Sequence, residues 1–250
     1  MVKGLDTFKE YFRDFQEQYV LIGGAACDVV FGEANRVFRA TKDLDMVLIV
    51  ESLTPAFGRR FWKFIGAGGY KSKLRSNGAP QFYRFEKPNA PDFPYMIELF
   101  AKTESVLDRD AHDCVPLRLG DEISSLSAIL LNSDYYQMLL SGRTVLADIP
   151  VLPHTYLILF KAKAWLDLSV RRAAGQSIDS KDICKHMNDI VRLASMLTGN
   201  ERCEMPESVR TDMNRFVEAL GDESIDMKAL GVSPLTLANI LDALKKVYLS

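Results

Sequence analysis

The first half of the chain alternates short apolar runs with amphipathic stretches, a pattern typical of mixed α/β folds. Apolar residues at helical spacing predict an amphipathic helix over residues 5–17. Runs of aliphatic, β-branched and aromatic residues predict strands over residues 19–24, the first of which ends in two glycines, and over residues 43–51, 81–88 and 95–102. We therefore expect a mixed sheet with flanking helices in this half.

Glycine and proline mark the limits of two further helices in the same half. One is expected over residues 25–32, directly after the first strand. The other follows Ser52 or Thr54, either of which can cap it, and Pro55 suits its first turn. The glycine-rich stretch 66–69 is expected to end this helix.

The pattern changes near Pro150–Pro153, from short runs to long amphipathic segments. Before this point, residues 123–131 and 135–145 fit either a pair of strands or a strand and a helix. After it, helices are predicted over residues 155–175, 178–200, 206–222 and 233–249. The sequence thus predicts an α+β protein with a mixed-sheet domain over residues 1–150 and an all-helical domain over residues 151–250.

Composition narrows the class of protein. Hydrophobic residues make up 48% of the chain and charged residues 26%, which favours a soluble globular protein over a disordered one. The apolar runs are too short to cross a membrane, and the first residues lack an apolar signal core, so we predict a cytoplasmic protein with no membrane partner. A formal charge of −2 argues against a globally basic nucleic-acid binder.

Two glycines, Gly23 and Gly24, lie where the first predicted strand turns into a helix. Glycine allows the backbone to approach a phosphate closely, and a helix N-terminus directs unsatisfied N–H groups at the anion. The pair is therefore a candidate phosphate-binding turn. A tight turn without a ligand is the alternative interpretation.

Three acids follow in the sequence. Asp43 and Asp45 are two residues apart on a predicted strand, so their carboxylates lie on one face and repel unless a cation compensates them. Glu98 stands alone in a second apolar strand and completes a three-carboxylate cluster if the two strands are neighbours. Carboxylates together with phosphate oxygens are typical ligands of Mg²⁺. The alternatives are a solvated strand end for the aspartates and an ion pair with a local Lys or Arg for Glu98.

This order of glycine pair, helix, paired aspartates and later acid resembles the nucleotidyltransferase superfamily, which has the polymerase-β-like fold. The sequence more specifically resembles the AbiEii-like toxin branch, through GGAAC at residues 23–27, Gly32 and RATKDLD at residues 39–45. In the helical half, KAKA at residues 161–164 and the pair Lys181-Asp182 are similar to later motifs of that branch. The resemblance covers residues 19–51 closely, and 94–100 and 155–195 more loosely.

The resemblance implies transfer of a nucleoside monophosphate from an NTP to a hydroxyl acceptor, a reaction that depends on positioning and charge neutralisation. It implies that Asp43, Asp45 and Glu98 hold Mg²⁺, with Glu98 also helping to accept a proton. It implies phosphate contacts from Gly23, Gly24, Arg39, Thr41 and Lys42. Finally, Lys161 is expected to neutralise the triphosphate, and Asp182 to position Lys161 or touch the acceptor.

The acceptor is the open part of this interpretation. Between Ser52 and Phe85 the chain has seven basic residues and no acidic one, and this basic segment, residues 59–84, suits an RNA such as tRNA. The alternative is a helix with a buried apolar face and a basic face in water. The toxin branch implies RNA or protein as acceptor and an antitoxin as partner. A small-molecule, aminoglycoside-type transferase and a catalytically inactive binding relative remain the alternative functions.

Overall fold

A computed structural model of the chain describes residues 2–74, 80–102, 107–109, 112–114, 129–130 and 132–250. The chain forms two compact units, and each is built from two segments. The first unit contains Met1–Ile123 and Arg143–Pro153, and the second contains Ser124–Gly142 and His154–Ser250. Residues 133–142, which the sequence places in the domain over 1–150, therefore belong to the second unit.

A seven-stranded mixed sheet forms the first unit, in the order β3-β4-β5-β2-β1-β9-β8, and a separate hairpin contains β6 and β7. The central strand β2 is antiparallel to β1 and parallel to β5. This confirms the sheet expected from the alternating apolar runs. The strands are β1 Tyr19–Ile22, β2 Asp43–Leu48, β3 Lys71–Leu74, β4 Pro80–Glu86, β5 Met96–Ala101, β6 Leu107–Arg109, β7 His112–Cys114, β8 Thr144–Leu146 and β9 Ile149–Val151.

Three helices flank this sheet: α1 Leu5–Phe12, α2 Gly23–Glu33 and α3 Pro55–Gly68. Helix α1 is shorter than the predicted helix because the backbone leaves the helical region at Phe12, with a φ of −111° and a ψ of +12°, and residues 13–18 form a 3-10 helix that is kinked at Phe15. Thr54 caps α3 by accepting a hydrogen bond from the Phe57 N–H at 3.3 Å. Gly69 ends the helix in the left-handed conformation, as the glycine-rich stretch predicts.

Aromatic side chains fill the space between these helices and the sheet. Phe8 and Phe12 of α1 lie with their ring centroids 4.6 Å apart, and Phe12 is 5.4 Å from Phe64 of α3. All three rings are fully buried, together with Tyr19, Phe57 and Phe61. Burial of a large apolar side chain stabilises a fold by about 1.5–3 kcal/mol, so this cluster fixes both helices firmly on β1 and its neighbours.

Among the residues that the structure describes, the second unit contains helices joined by turns and loops, and no strand. The segment over residues 135–145, which fits two alternatives in sequence, is a helix up to Gly142 followed by strand β8. The expected element over residues 123–131 lies outside the described residues except for Ile129 and Leu130. The helices of the unit are α4 Ser133–Gly142, α5 His154–Ala173, α6 Ser180–Ala194, α7 Glu207–Gly221 and α8 Leu237–Tyr248.

Helix α5 is the centre of this unit and packs against α4, α6 and α7. Its Trp165 ring meets Phe216 of α7 edge to face, with centroids 5.5 Å apart. Asp179 caps α6 by accepting a hydrogen bond from the Lys181 N–H at 2.9 Å. Of the helices among the described residues, none has the length and apolar character needed to span a membrane.

Candidate active site

The turn from β1 into α2 places Gly23 against the carboxylate of Asp45. Gly23 has a φ of +68°, and a Cβ built on it would lie 2.8 Å from Cγ of Asp45. Gly24 approaches Thr41 just as closely, because its Cβ would lie 3.1 Å from that of Thr41. Packing therefore requires glycine at both positions, and at Gly23 the backbone conformation favours it as well. In the described part of the chain, no side chain caps the start of α2.

Asp43 and Asp45 open strand β2 and lie on the same face of the sheet. Both are half-buried, whereas Leu44 and Met46 on the opposite face are fully buried. Across the sheet, Asp45 is in register with Ile22 at the end of β1. The strand thus brings the two carboxylates to the same end of the sheet as the Gly23 turn, as the sequence predicts.

Glu98 lies beside Asp45, as expected, but it has a cationic partner. Strand β5 is parallel to β2, with Glu98 directly opposite Asp45. On its other side, β4 places Arg84 opposite Glu98, and Nε and Nη2 of Arg84 both contact Oε1 of Glu98. The ion pair with a local arginine, one of the two alternatives left open by the sequence, is therefore present.

The metal-ligand prediction has to be revised for this reason. Among the residues that the structure describes, no group of three or more His, Cys, Asp or Glu side chains is arranged to hold a metal ion. The expected three-carboxylate cluster of Asp43, Asp45 and Glu98 is thus not found in that form, and Glu98 is engaged in an ion pair with Arg84. The two aspartates fit Mg²⁺, which proteins usually hold by one or two carboxylates together with substrate phosphates.

The three residues before Asp43 that the sequence assigns to phosphate binding lie at different places. Thr41 packs on Gly24, at the start of α2. The guanidinium of Arg39 lies over the Phe38 ring at 5.2 Å from its centroid, and the Lys42 ammonium lies over the Tyr95 ring at 5.7 Å. Lys42 is exposed, so its ammonium can leave the exposed Tyr95 ring at little cost to bind an anion.

Lys161 and Asp182 belong to the second unit. Lys161 is buried in α5, and its Nζ donates to Oδ2 of Asp189 on α6 at 2.9 Å. Asp189 is fully buried and also lies 3.6 Å from Nη1 of Arg192. Asp182 is exposed in the first turn of α6. The carboxylate that positions Lys161 is therefore Asp189 rather than Asp182.

The basic segment is divided by the fold. On α3, Phe61 is buried, while Arg59 and Lys63 are exposed, which is the amphipathic arrangement that the sequence offered as an alternative. Arg60 donates to the Tyr11 carbonyl at 3.3 Å and so caps the end of α1. Arg84 is paired with Glu98, Lys71 is exposed, and Arg75 lies outside the described residues.

Sequence reasoning missed two residues of these arrangements, Arg84 as a partner of Glu98 and Asp189 as a partner of Lys161. A pattern could have indicated each of them. Arg84 stands alone among aromatic residues in a strand, and Asp189 is followed directly by Ile190 and Val191 on an amphipathic helix. A charge at an apolar position of a strand or helix needs an opposite charge nearby.

Replacing Gly23 tests the close approach of α2 to Asp45. We expect Gly23→Ala to destabilise the protein by about 1–3 kcal/mol, because alanine is strained at this φ and its methyl would displace the Asp45 carboxylate. Gly32 is the matched control, since it lies in the same helix with no atom within 4 Å of an added Cβ. Gly32→Ala should stabilise by about 0.5–1 kcal/mol. Urea unfolding of both variants measures the difference, and equal effects would contradict the packing described here.

Comparison with known proteins gives two similar solved structures. One is the crystal structure of an antigenic nucleotidyltransferase-like protein from Paracoccidioides brasiliensis, with 14% identity, 92% of this chain and 93% of that chain covered, and a TM-score of 0.44. The other is the solution structure of the antibiotic-resistance factor ANT(2'')-Ia, with 12% identity, coverage of 87% and 91%, and a TM-score of 0.36. No family model and no curated protein matches the chain. With TM-scores below 0.5, neither likeness bears on function.

Proposed function

We propose that the protein is a Mg²⁺-dependent nucleotidyltransferase that moves a nucleoside monophosphate from an NTP to a hydroxyl acceptor. The observation that carries the proposal is the contact of Asp45 with Gly23, which joins a carboxylate pair to the start of a helix. The first N–H groups of a helix have no partner within it and attract phosphate. Carboxylates at the same place attract the divalent cation that accompanies a triphosphate.

The reaction requires few groups of the protein. The acceptor oxygen forms a bond to the α-phosphorus, the bond from that phosphorus to the bridging oxygen of the β-phosphate breaks, and pyrophosphate leaves with the bonding electrons. The proton of the acceptor hydroxyl passes to solvent. Mg²⁺ held by Asp43 and Asp45 would offset the charge on the phosphates. The N–H groups at Gly23 and Gly24 would orient the triphosphate, and Thr41, which packs on Gly24, and Lys42, which precedes Asp43 in the chain, would assist.

Lys161 has no direct role in this proposal. Its ammonium is buried and engaged by Asp189, so withdrawing it to neutralise a triphosphate would leave a buried carboxylate without this compensation. Arg39 and Lys42 of the first unit are better suited to phosphate, because their side chains are at least partly exposed. Asp182, exposed at the start of α6, stays a candidate for contact with the acceptor.

RNA or protein is the proposed acceptor, in keeping with a toxin of the AbiEii-like type that an antitoxin would restrain. The exposed basic residues Arg59, Lys63 and Lys71 support an RNA acceptor, because phosphate contact needs exposed positive charge. Arg60 and Arg84 are engaged within the protein and are not part of this surface.

Charge reversal on α3 tests the acceptor. We expect Arg59→Glu/Lys63→Glu to weaken the binding of an RNA acceptor by about tenfold or more at low salt, because each phosphate contact that is lost also reduces the release of counterions. Transfer to a small hydroxyl acceptor should be unchanged. The measurement is the apparent KM for RNA at two salt concentrations. Equal KM values for the variant and the natural sequence would mean that this face of α3 is exposed to water and does not bind RNA.

Transfer itself is tested directly. The protein is incubated with Mg²⁺, total RNA and each of the four NTPs labelled at the α-phosphate, and the products are separated on a gel. Label in RNA or in protein supports the proposal and identifies the acceptor. Label in a small molecule from an added metabolite extract indicates the aminoglycoside-type alternative. No label in any fraction, with NTP binding intact, would indicate an inactive binding relative.

A further inference from the structure

Three charged side chains form a row across neighbouring strands at the candidate site. Arg84 on β4 is in register with Glu98 on β5, and Glu98 is in register with Asp45 on β2. Residues directly opposite in adjacent strands have side chains on the same face. The row therefore reads positive, negative, negative from β4 to β2, and it ends at the Gly23 turn, where Asp45 lies.

Arg84 compensates the charge of its neighbour Glu98 in this row. Glu98 and Asp45 are like charges directly opposite each other, which destabilises a sheet unless a cation offsets them. Arg84 supplies that cation to Glu98 through two N–H groups. The side chains of Arg84 and Glu98 are only 26% and 15% exposed, so solvent screens the pair less than it would on an open surface. Glu98 is thus held in an ion pair with Arg84.

We propose that Arg84 is a positioning residue that holds Glu98 away from the divalent cation and so sets the affinity of the site for that cation. The cation would then be bound by Asp43 and Asp45 alone, and Glu98 would become a third ligand only when Arg84 is removed or displaced. This inference rests on the proposed function, because it assigns Mg²⁺ to the same two aspartates. It differs from the expectation for Glu98 that the resemblance implies.

The physical basis is competition for one carboxylate. A guanidinium that makes two contacts to a carboxylate oxygen forms a strong charge-assisted pair, and a cation has to break that pair before it can use the same oxygen. Affinity of a site for a hard divalent cation rises with the number of charged ligands. Removing Arg84 therefore both frees a ligand and removes a positive charge from the neighbourhood.

Binding of Mn²⁺, followed by the loss of the free-ion signal in electron paramagnetic resonance, tests the inference without any assay of transfer. We expect Arg84→Met to bind Mn²⁺ about tenfold more tightly than the natural sequence, because a third charged ligand becomes available to the cation. Arg84→Met/Glu98→Gln removes the pair as a neutral unit and should restore the original affinity. Asp43→Asn should weaken binding at least tenfold, and Arg172→Met, which removes an exposed arginine from α5 in the second unit, should leave it unchanged.

Several results would overturn the inference. One is a double variant that binds Mn²⁺ as weakly as Asp43→Asn, because Glu98 would then be a ligand already. Another is an Arg84→Met variant with unchanged affinity, or binding that ignores Asp43→Asn. Circular dichroism and the Tm of each variant verify that it is folded. If Arg84→Met does not fold, Arg84→Lys replaces it, because lysine keeps the positive charge.

The outcome is distinguishable from that of the proposed function. Transfer of label by the natural protein together with unchanged Mn²⁺ affinity in Arg84→Met would refute the role of Arg84 and keep the transferase. If the Mn²⁺ affinities shift as expected but no label is transferred, the role of Arg84 is supported and the transferase activity is refuted.

Discussion

Asp45→Asn is expected to lower nucleotidyl transfer by about 10²–10³-fold, the loss typical for one group that stabilises developing charge in a transition state. Asp45 is the carboxylate that joins β2 to the Gly23 turn, and it shares its face of the strand with Asp43. Neutralising it removes one of the two proposed ligands of Mg²⁺ while leaving the shape of the side chain. Single-turnover transfer with an α-labelled NTP measures the effect.

The same variant should fold normally. Asp45 lies on the same face of β2 as Asp43, so removing its charge relieves a repulsion between two carboxylates, and we expect the Tm to stay the same or rise slightly. Asp242→Asn is the control, because it removes an exposed carboxylate from α8 in the other unit. Full transfer by Asp45→Asn would exclude the metal site proposed at β2.

Asp189→Ala is expected to destabilise the protein by about 3–5 kcal/mol, the usual cost of removing one partner of a buried ion pair. Asp189 is fully buried, and its Oδ2 accepts from Nζ of Lys161 at 2.9 Å, joining α5 to α6. Without this carboxylate the ammonium of Lys161 stays in the interior with less compensation. Chemical unfolding followed by circular dichroism measures the change in the free energy of unfolding.

Two variants sharpen this prediction. Asp182→Ala removes an exposed acid from the same helix and should leave the free energy of unfolding almost unchanged. Lys161→Met/Asp189→Ala removes both charges and should recover most of the lost stability, because the cost arises from a charge left without its partner. If the double variant is stable but no longer transfers the nucleotide, Lys161 would instead be a ligand of the triphosphate.

The fold was largely predictable because its elements have local signals. Strands β1, β2, β4 and β5 lie within or close to the apolar runs that predict them, and the caps at Thr54 and Asp179 follow from residues a few positions away. The exceptions depend on contacts that are distant in sequence. Helix α4 has apolar residues on several sides because it packs against α5 and α7, and this pattern does not separate a buried helix from a strand.

The candidate site was predictable only in its shorter-range parts. The pairing of Gly23 with Asp45 follows from a strand, a turn and a neighbouring strand, and the spacing of two between Asp43 and Asp45 fixes a common face. Arg84 and Asp189 are different, because their partners lie 14 and 28 residues away on other elements. Sheet register and helix packing determine those partners, and neither can be predicted from a short stretch of sequence.

The division of each unit into two chain segments affects how the protein forms on the ribosome. The sheet unit receives its last strands, β8 and β9, only after α4 of the helical unit has been synthesised. Until then β1 is an edge strand, because β9 has not yet paired in parallel with it at Leu21. The nascent chain therefore presents an open edge beside the Gly23 turn. The two units therefore cannot fold strictly one after the other during translation. The sheet can be completed only after residues 144–151 have been synthesised.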